Sequence, residues 1–149
     1  MEPFEKLIVN TIKTESMRFR KLSNSCSPNY YFYQVVQYMI QNNLSSIVDL
    51  GSGHGHVLEI CRRLGWKVKG YEIDPLIVRE AYDFVELKDV ENIEEDHIYC
   101  FDMIYMYGPF MDDKKNIDFA EKIKSKMSPG QYFMYRTVNS KKHNIFVNE

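Results

Sequence analysis

The hydrophobic pattern of the chain changes near residue 45. Before that point, apolar residues recur at the three- and four-residue spacing of amphipathic helices. One such set is Phe4, Leu7, Ile8 and Ile12, and the second is Phe32, Val35, Val36, Met39 and Ile40. Ser27 followed by Pro28 is typical of a helix start, so the second set predicts a helix that ends near Asn42. Residues 1–44 are therefore interpreted as an N-terminal helical extension.

From Ser46 onward, short apolar runs alternate with amphipathic stretches. Strands are predicted at 47–50, 66–72, 84–87, 103–107 and 131–138, and helices at 57–64, 76–82 and 117–127. The last of these helices has its expected buried stripe at Ile117, Ala120, Ile123, Lys124 and Met127. This alternation is typical of a parallel sheet covered by helices, so the predicted fold class is α/β. The segment after Val138 has room for one further short strand, at 145–147.

Composition favours one small unit. The chain has 149 residues, of which 44% are hydrophobic and 27% charged, as expected for one compact domain. We interpret 1–149 as a single domain, with a helical cap at 1–44, a core at 45–138 and a short C-terminal segment at 139–149. No apolar run reaches the roughly 18 residues of a membrane span, and the first residues are acidic where a secretory signal would be basic. An intracellular, cytoplasmic protein with no membrane partner is expected.

Net charge limits the expected binding partners, and cysteine content limits the expected disulfides and metal sites. A net charge of −2 argues against nonspecific adhesion to nucleic acid. A local basic cluster is nevertheless present near the start, at Lys13, Arg18, Arg20 and Lys21. Cys26, Cys61 and Cys100 are odd in number and far apart, so we expect buried free thiols rather than disulfides or a zinc site.

The most informative segment is the glycine-rich turn 49–56, DLGSGHGH, between the first strand and the next helix. Glycines allow a tight turn and close approach of a ligand, and free N–H groups at a helix start favour a negative group. A dinucleotide fingerprint would need glycine at position 56, where this chain has His56. Asp49 would repel a pyrophosphate and attract an ammonium group. A ligand that carries both a carboxylate and an amine fits, such as the methionine part of S-adenosylmethionine.

Two further acids follow later strands. Glu72 ends the second strand, where an acid can accept hydrogen bonds from ribose hydroxyls. Asp89 follows the third strand and could accept a hydrogen bond from an adenine amino group. Both Asp49 and Glu72 are expected outside the hydrophobic core. His54 and His56 do not converge on one metal ion and are expected to line the site or face solvent.

These residues resemble the class I S-adenosylmethionine-dependent methyltransferases over about residues 45–138. The resemblance implies a Rossmann-like, doubly wound, mostly parallel sheet of order 3-2-1-4-5, with S-adenosylmethionine as cofactor and no metal. The cofactor-binding residues it implies are Asp49, Gly51, Ser52, Gly53, Gly55, Glu72, Ile73, Asp89 and Val90. The aromatic run Tyr30–Tyr33 is a candidate to close over the cofactor.

The acceptor side is expected at the end of the fourth strand, in Tyr107-Gly108-Pro109-Phe110. Enzymes of this fold that methylate nucleobase amines carry Asn or Asp there, which this chain lacks, so such an acceptor is disfavoured. The chain is loosely similar to small protein-lysine methyltransferases. Tyr105 and Tyr107 are the candidate catalytic residues, since they could line an aromatic channel for a cationic side chain.

The leading hypothesis is therefore methyl transfer from S-adenosylmethionine to a protein nitrogen, with lysine favoured, or to another small nucleophile. One alternative is an RNA or DNA methyltransferase, in which the basic cluster would contact phosphates. Another is a catalytically silent cofactor-binding subunit that a partner completes. A homodimer is also compatible with the sequence.

Overall fold

The computed structural model describes residues 29–92, 98–140 and 142–149. The helices of this part are α1 (Asn29–Gln41), α2 (His56–Arg63), α3 (Pro75–Glu80) and α4 (Asp113–Lys126), with a 3₁₀ turn at Val90–Asn92. Its strands are β1 (Ser46–Leu50), β2 (Lys67–Glu72), β3 (Val85–Leu87), β4 (Met103–Tyr107), β5 (Tyr132–Arg136) and β6 (Asn144–Val147). The predicted helix at Phe4–Ile12, the basic cluster at 13–21, Cys26 and the side chains of Tyr30–Tyr33 lie outside the described residues.

The strands form a single six-stranded sheet of order β3-β2-β1-β4-β5-β6. Strands β1 to β5 are parallel, and β6 runs antiparallel along the outer side of β5. The predicted order 3-2-1-4-5 and the further short strand are both confirmed. Strand order reverses between β1 and β4, and in open α/β sheets the crevice beyond the strand ends at such a point is where ligands bind.

The centre of the sheet is buried on both faces, because β1 and β4 alternate side chains between two cores. On one face, α1 and α2 pack on a cluster that includes Met103 and Tyr105 of β4. On the other face, α4 packs on a cluster that includes Ile104 and Met106. The uninterrupted apolar run of β4 is thus explained by burial on both sides.

The predicted stripe of α4 is wrong at one position. Ile117 is 49% exposed, whereas Asn116 is completely buried together with Ala120 and Ile123. The helix starts earlier than predicted, at Asp113, where the Asp112 side chain accepts a hydrogen bond from the Lys114 N–H at 2.9 Å. Positions 116, 120 and 123 therefore share the inner face, and position 117 is turned about 100° away from it.

The thiol prediction holds for one described cysteine and fails for the other. Cys61 of α2 is buried, but Cys100 is exposed because it lies in the turn before β4 rather than in the strand. In the described part of the chain, no helix has the length and apolar character needed to cross a membrane.

Candidate active site

A cavity of about 790 Å³ opens at the carboxyl edge of the sheet, where the strand order reverses. Its wall comprises Gly51, Gly53, Glu72, Ile73, Asp89, Val90, Glu91, Tyr107, Gly108, Pro109, Phe110, Met111, Lys115 and Val138. The volume is in the range of small-molecule and cofactor sites. Six of these residues belong to the predicted cofactor set, so the fold assembles them from three separate segments.

At Gly51 and Gly53, the glycine turn presents backbone without side chains to the cavity. Gly51, Gly53 and Gly55 all have positive φ angles, of 84°, 59° and 87°. A Cβ atom at Gly51 would lie 3.2 Å from Cβ of Pro109, so a side chain there would also crowd the opposite wall. The turn is tied to β2, because the N–H groups of Gly51 and Ser52 both donate to the Tyr71 carbonyl, at 2.8 and 3.0 Å. These residues therefore form a fixed cradle that a ligand can approach closely.

Glu72 joins the glycine turn to the end of β2. Its Oε1 accepts a hydrogen bond from the Gly53 N–H at 3.0 Å. Its Oε2 accepts from the N–H groups of Ile73 and Asp74, at 2.9 and 3.0 Å. A carboxylate oxygen has more than one acceptor site, so this half-buried group can still accept from a ligand hydroxyl while it holds the turn.

Asp49 lies in the core, contrary to the sequence expectation. Its side chain is 4% exposed, and its Oδ1 has no hydrogen-bond partner within the described residues. Burial, and then the nearby charge of Glu72, raise the pKa of Asp49 to about 8. The expectation failed because β1 is covered by helices on both faces up to the residue before the turn. An unpartnered buried carboxyl is costly, and a cationic group of a ligand would relieve that cost.

The predicted adenine-binding residues meet at one end of the cavity. Ile73 and Val90 contribute apolar surface, and Ile73 is 61% exposed in this structure. The Oδ1 atom of Asp89 accepts a hydrogen bond from the Glu91 N–H at 3.0 Å, which orients its carboxylate at the start of the 3₁₀ turn. This end thus offers an apolar surface beside a carboxylate, which suits a flat amino-bearing ring.

The two candidate tyrosines differ in how deeply they are buried and in whether they line the cavity. Tyr107 lines the cavity, with the Arg136 guanidinium 4.2 Å from its ring centroid. Tyr105 does not line it, since its side chain is 1% exposed and its hydroxyl lies 3.3 Å from Nε2 of His143. The predicted aromatic channel of Tyr105 and Tyr107 is therefore not formed. Residues two apart on a strand share a face, but only Tyr107 reaches the carboxyl edge.

Ser52 and Gly55 support the turn without lining the cavity. The Ser52 side chain packs against β2, where a Cβ atom at Gly70 would come within 2.5 Å of its Oγ. At Gly55, a Cβ atom would collide with Val85 and Phe84, at 2.7 and 2.9 Å. Both residues therefore hold the turn against the neighbouring strands.

The expectation for His54 and His56 is wrong. Both side chains are buried, 0% and 4% exposed, and neither lines the cavity. His54 Nε2 lies 3.8 Å from the Glu80 carboxylate, because α3 folds back against the turn. In the residues that the structure describes, no group of three or more His, Cys, Asp and Glu side chains is arranged to hold a metal.

Sequence reasoning missed the wall contributed by α4 and β5. Lys115 lies 4.5 Å from the Phe110 ring centroid and is paired with Glu91, at 2.5 Å. Met111 is 95% exposed at the rim. Val138 completes this side. Phe110 was already expected on the acceptor side and Met111 follows it in the same loop, but nothing in the pattern marked Lys115 or Val138.

Comparison with known proteins identifies the family. The sequence model of a methyltransferase domain family matches residues 20–145. The chain therefore belongs to this methyltransferase domain family, and S-adenosylmethionine is its cofactor. No curated protein sequence matches the chain.

Solved structures share the fold at low sequence identity. An S-adenosylmethionine-dependent methyltransferase from Clostridium acetobutylicum superposes with a TM-score of 0.57 at 14% identity, covering 83% of this chain and 55% of that one. An RNA methyltransferase from Salinibacter ruber, bound to S-adenosyl-L-homocysteine, gives 0.59 at 19% identity, covering 80% and 90%. A Podospora anserina methyltransferase bound to the same product gives 0.59 at 15%, covering 87% and 61%. The chain spans about half the length of several matched structures, between 53% and 55%.

The residues present fit S-adenosylmethionine. The Oδ1 atom of Asp49 is buried without a hydrogen-bond partner among the described residues, and the ammonium group of the methionine part would supply one. A side chain at Gly51 would be strained by the positive φ and crowded by Pro109, 3.2 Å from its Cβ, so a ligand would lie against backbone there. Glu72 and the Asp89–Val90 end offer acceptors and apolar surface for a nucleoside.

Proposed function

We propose that this chain transfers the methyl group of S-adenosylmethionine to a nitrogen nucleophile, with a protein lysine side chain favoured. The observation that carries the proposal is the buried, unpartnered carboxyl of Asp49 directly before a glycine cradle, 4% exposed. When bound, S-adenosylmethionine would supply a methyl group on a sulfonium sulfur: the lone pair of the nucleophile would form the new bond to carbon as the carbon–sulfur bond breaks, with S-adenosylhomocysteine as the leaving group.

The chain's own residues act by binding and orienting rather than by covalent catalysis. Asp49 pairs with an ammonium group, Glu72 accepts from hydroxyls while it fixes the glycine turn, and Asp89 with Ile73 holds a flat ring. Tyr107 and Phe110 form an apolar wall that excludes water from the reacting groups. Alignment and desolvation are sufficient for transfer to an amine that has lost its proton.

Two cations lie close to Tyr107 and Phe110, where they affect the protonation state of an amine acceptor. Arg136 lies over Tyr107 and Lys115 over Phe110, at 4.2 and 4.5 Å from the ring centroids. Positive charge beside both rings disfavours a second cation against them, and the Glu91 carboxylate that pairs with Lys115 reduces this effect at Phe110. We therefore expect the acceptor amine to be held neutral, which is its nucleophilic form.

An RNA acceptor is the second candidate. The Salinibacter ruber RNA methyltransferase is matched over 90% of its own length, so a protein of similar size carries that activity. Against it, residues 107–110 at the end of β4, YGPF, lack the Asn or Asp that would accept from a nucleobase amine.

Calorimetry with S-adenosylhomocysteine tests whether the chain binds the cofactor as proposed. We expect binding by the wild-type protein and about 10- to 100-fold weaker binding by Glu72→Gln, because an amide nitrogen cannot accept the hydrogen bonds that this carboxylate takes. Glu121→Gln, on the exposed face of α4, is the matched control and should bind like wild type. Absence of binding by the wild-type protein would refute the proposal.

Labelled S-adenosylmethionine tests the acceptor. The protein is incubated with cell extract that has been separated into protein and nucleic-acid fractions. Label in protein that survives acid hydrolysis as methyl-lysine supports the proposal, and label in RNA supports the second candidate. Tight cofactor binding with no label in either fraction indicates a silent subunit that a partner completes.

A further inference from the structure

The first turn of α4 holds both sides of the wall that lies opposite the glycine cradle. This wall consists of the loop 108–111 after β4 and of Val138, which follows β5. We call it the acceptor wall. The residues that anchor it do not line the cavity themselves, and sequence reasoning did not select them.

Asn116 binds the loop at Phe110. Its Oδ1 accepts a hydrogen bond from the Phe110 N–H at 3.0 Å, and its Nδ2 donates to the Phe110 carbonyl at 2.9 Å. The same Nδ2 donates to Oδ1 of Asp113 at 3.1 Å. The Asn116 residue is 0% exposed, whereas Phe110 and Asp113, its hydrogen-bond partners, are partly buried. A buried amide with donor and acceptor both satisfied fixes one backbone geometry at Phe110.

Asp113 binds the exit of β5. Its Oδ1 accepts from the Val138 N–H at 2.7 Å. Its Oδ2 accepts from the backbone and side-chain nitrogens of Asn139, at 3.1 and 2.9 Å. Partial burial would raise the pKa of Asp113, but the hydrogen bonds from Asn116, Val138 and Asn139 together lower it. This carboxylate is therefore ionised throughout the physiological range.

The remaining contacts of Phe110 also come from α4. Its ring lies edge-on to Phe119 with centroids 5.4 Å apart, and the Lys115 ammonium lies 4.5 Å from its centroid. The two sides of the wall meet at Gly108, where a Cβ atom would be 2.7 Å from Cγ2 of Val138. The separation of the two sides is thus set by α4 together with the β4–β5 pairing, in which the Gly108 N–H donates to the Arg136 carbonyl at 2.8 Å.

We propose that Asn116, together with Asp113, is a positioning residue that sets the shape of the acceptor half of the site. The inference rests on the proposed function, because it assigns the acceptor to this wall. It differs from the cofactor residues in one testable respect: neither side chain contacts the glycine cradle, Glu72 or the Asp89 end. Loss of the anchor should therefore impair methyl transfer and spare cofactor affinity.

The informative variant is Asn116→Asp, which has nearly the same shape. An ionised carboxylate at this position would face the Phe110 carbonyl and the Asp113 carboxylate, which are both acceptors, so the loop should be released. A protonated carboxyl can again accept from the Phe110 N–H and donate to its carbonyl, so lower pH should restore the anchor. Asp113→Asn is a second variant at a less buried position, and Asp112→Asn, which caps α4 without touching the wall, is the matched control.

Three measurements are made on the full chain. Transfer of label from S-adenosylmethionine to cell extract should fall about 10- to 100-fold in Asn116→Asp at pH 8 and recover towards wild type at pH 6. The Kd for S-adenosylhomocysteine should change less than about twofold. Exchange of the Phe110 amide hydrogen, corrected for its intrinsic pH dependence, should be faster than wild type at pH 8 only.

The outcomes separate the alternatives. Equal loss of cofactor affinity and transfer would overturn the proposal, since Asn116 would then support the whole site. Unchanged transfer in both Asn116→Asp and Asp113→Asn, or loss without recovery at low pH, would overturn it as well. Absence of S-adenosylhomocysteine binding by the wild-type protein would refute the proposed function, and with it the role of Asn116 in shaping an acceptor site. Exchange of the Phe110 amide hydrogen would still show whether Asn116 anchors the loop.

Discussion

At the residue scale, Asp49 couples folding stability to pH. Its pKa in the folded protein is about 8, against 3.8 for the ordinary side chain, so the folded state holds a proton that the unfolded state has lost. The stability this provides is complete below about pH 4 and disappears as pH rises through about 8. Each pKa unit corresponds to about 1.4 kcal/mol.

Asp49→Asn should therefore stabilise the protein without bound cofactor at alkaline pH. Asparagine has nearly the same shape and does not ionise, so the variant should lose the decline in unfolding free energy between pH 4 and 8. We expect it to be more stable than wild type by a few kcal/mol at pH 8. Urea denaturation at pH 5, 7 and 8 measures this, and parallel pH curves for the two proteins would contradict it.

The same variant should bind S-adenosylhomocysteine poorly, because its amide cannot pair with an ammonium group as a carboxylate does. In the wild-type protein, pairing should lower the pKa of Asp49, so binding at pH 7 should release a proton. Calorimetry in two buffers of different ionisation enthalpy detects that proton. Asp49→Ala is a poorer test than Asp49→Asn, since this side chain is buried and its removal leaves a cavity.

At the scale of elements, the close packing of β2 against the glycine turn positions the cradle. A Cβ atom at Gly70 would lie 2.5 Å from Ser52 Oγ and 2.9 Å from Cδ1 of Leu58. Gly70→Ala should therefore displace the turn, lower stability and weaken S-adenosylhomocysteine binding. A displaced turn also strains the hydrogen bond between Gly53 and Glu72, which is 3.0 Å long.

Gly65→Ala is the matched control for Gly70→Ala. Gly65 ends α2 with a φ of 87°, and nothing lies within 4 Å of a Cβ atom there. This substitution should cost about 1 kcal/mol of stability from backbone strain alone and leave binding unchanged. Thermal denaturation and calorimetry on both variants separate backbone strain from displacement of the glycine turn. Equal binding by Gly70→Ala and wild type would show that the turn is not positioned by this packing.

At the scale of the whole molecule, stability should be highest at the centre of the sheet. Strands β1 and β4 pair with neighbours on both sides and are buried on both faces, whereas β6 exposes Ile145 and Phe146, at 46% and 36%. We expect amide hydrogens of β1 and β4 to exchange last and those of β6 first. Protection of β6 equal to that of β4 would contradict this and would indicate that another strand covers its edge, as in the homodimer that remains a prediction.

The sequence by itself determined the element order and the sheet class, and it selected six of the residues that line the cavity. These follow from local signals: apolar runs of strand length, helical spacing, and glycines and acids at strand ends. The order 3-2-1-4-5 came from family resemblance, and the family match over residues 20–145 agrees with it. Gly51, Gly53, Glu72, Ile73, Asp89 and Val90 could be selected because each lies next to the strand end that positions it.

Only the tertiary structure decided what depends on depth and on contacts between distant segments. Tyr105 and Tyr107 look equivalent in sequence, yet one is buried beside His143 and the other lines the cavity. The burial of Asp49, and with it a pKa near 8, depends on helices packed over both faces of β1. Asn116 and Asp113 reach Phe110 and Val138 only because α4 lies across the ends of β4 and β5. Short-range patterns report which residues can meet a ligand, whereas packing sets which of them do.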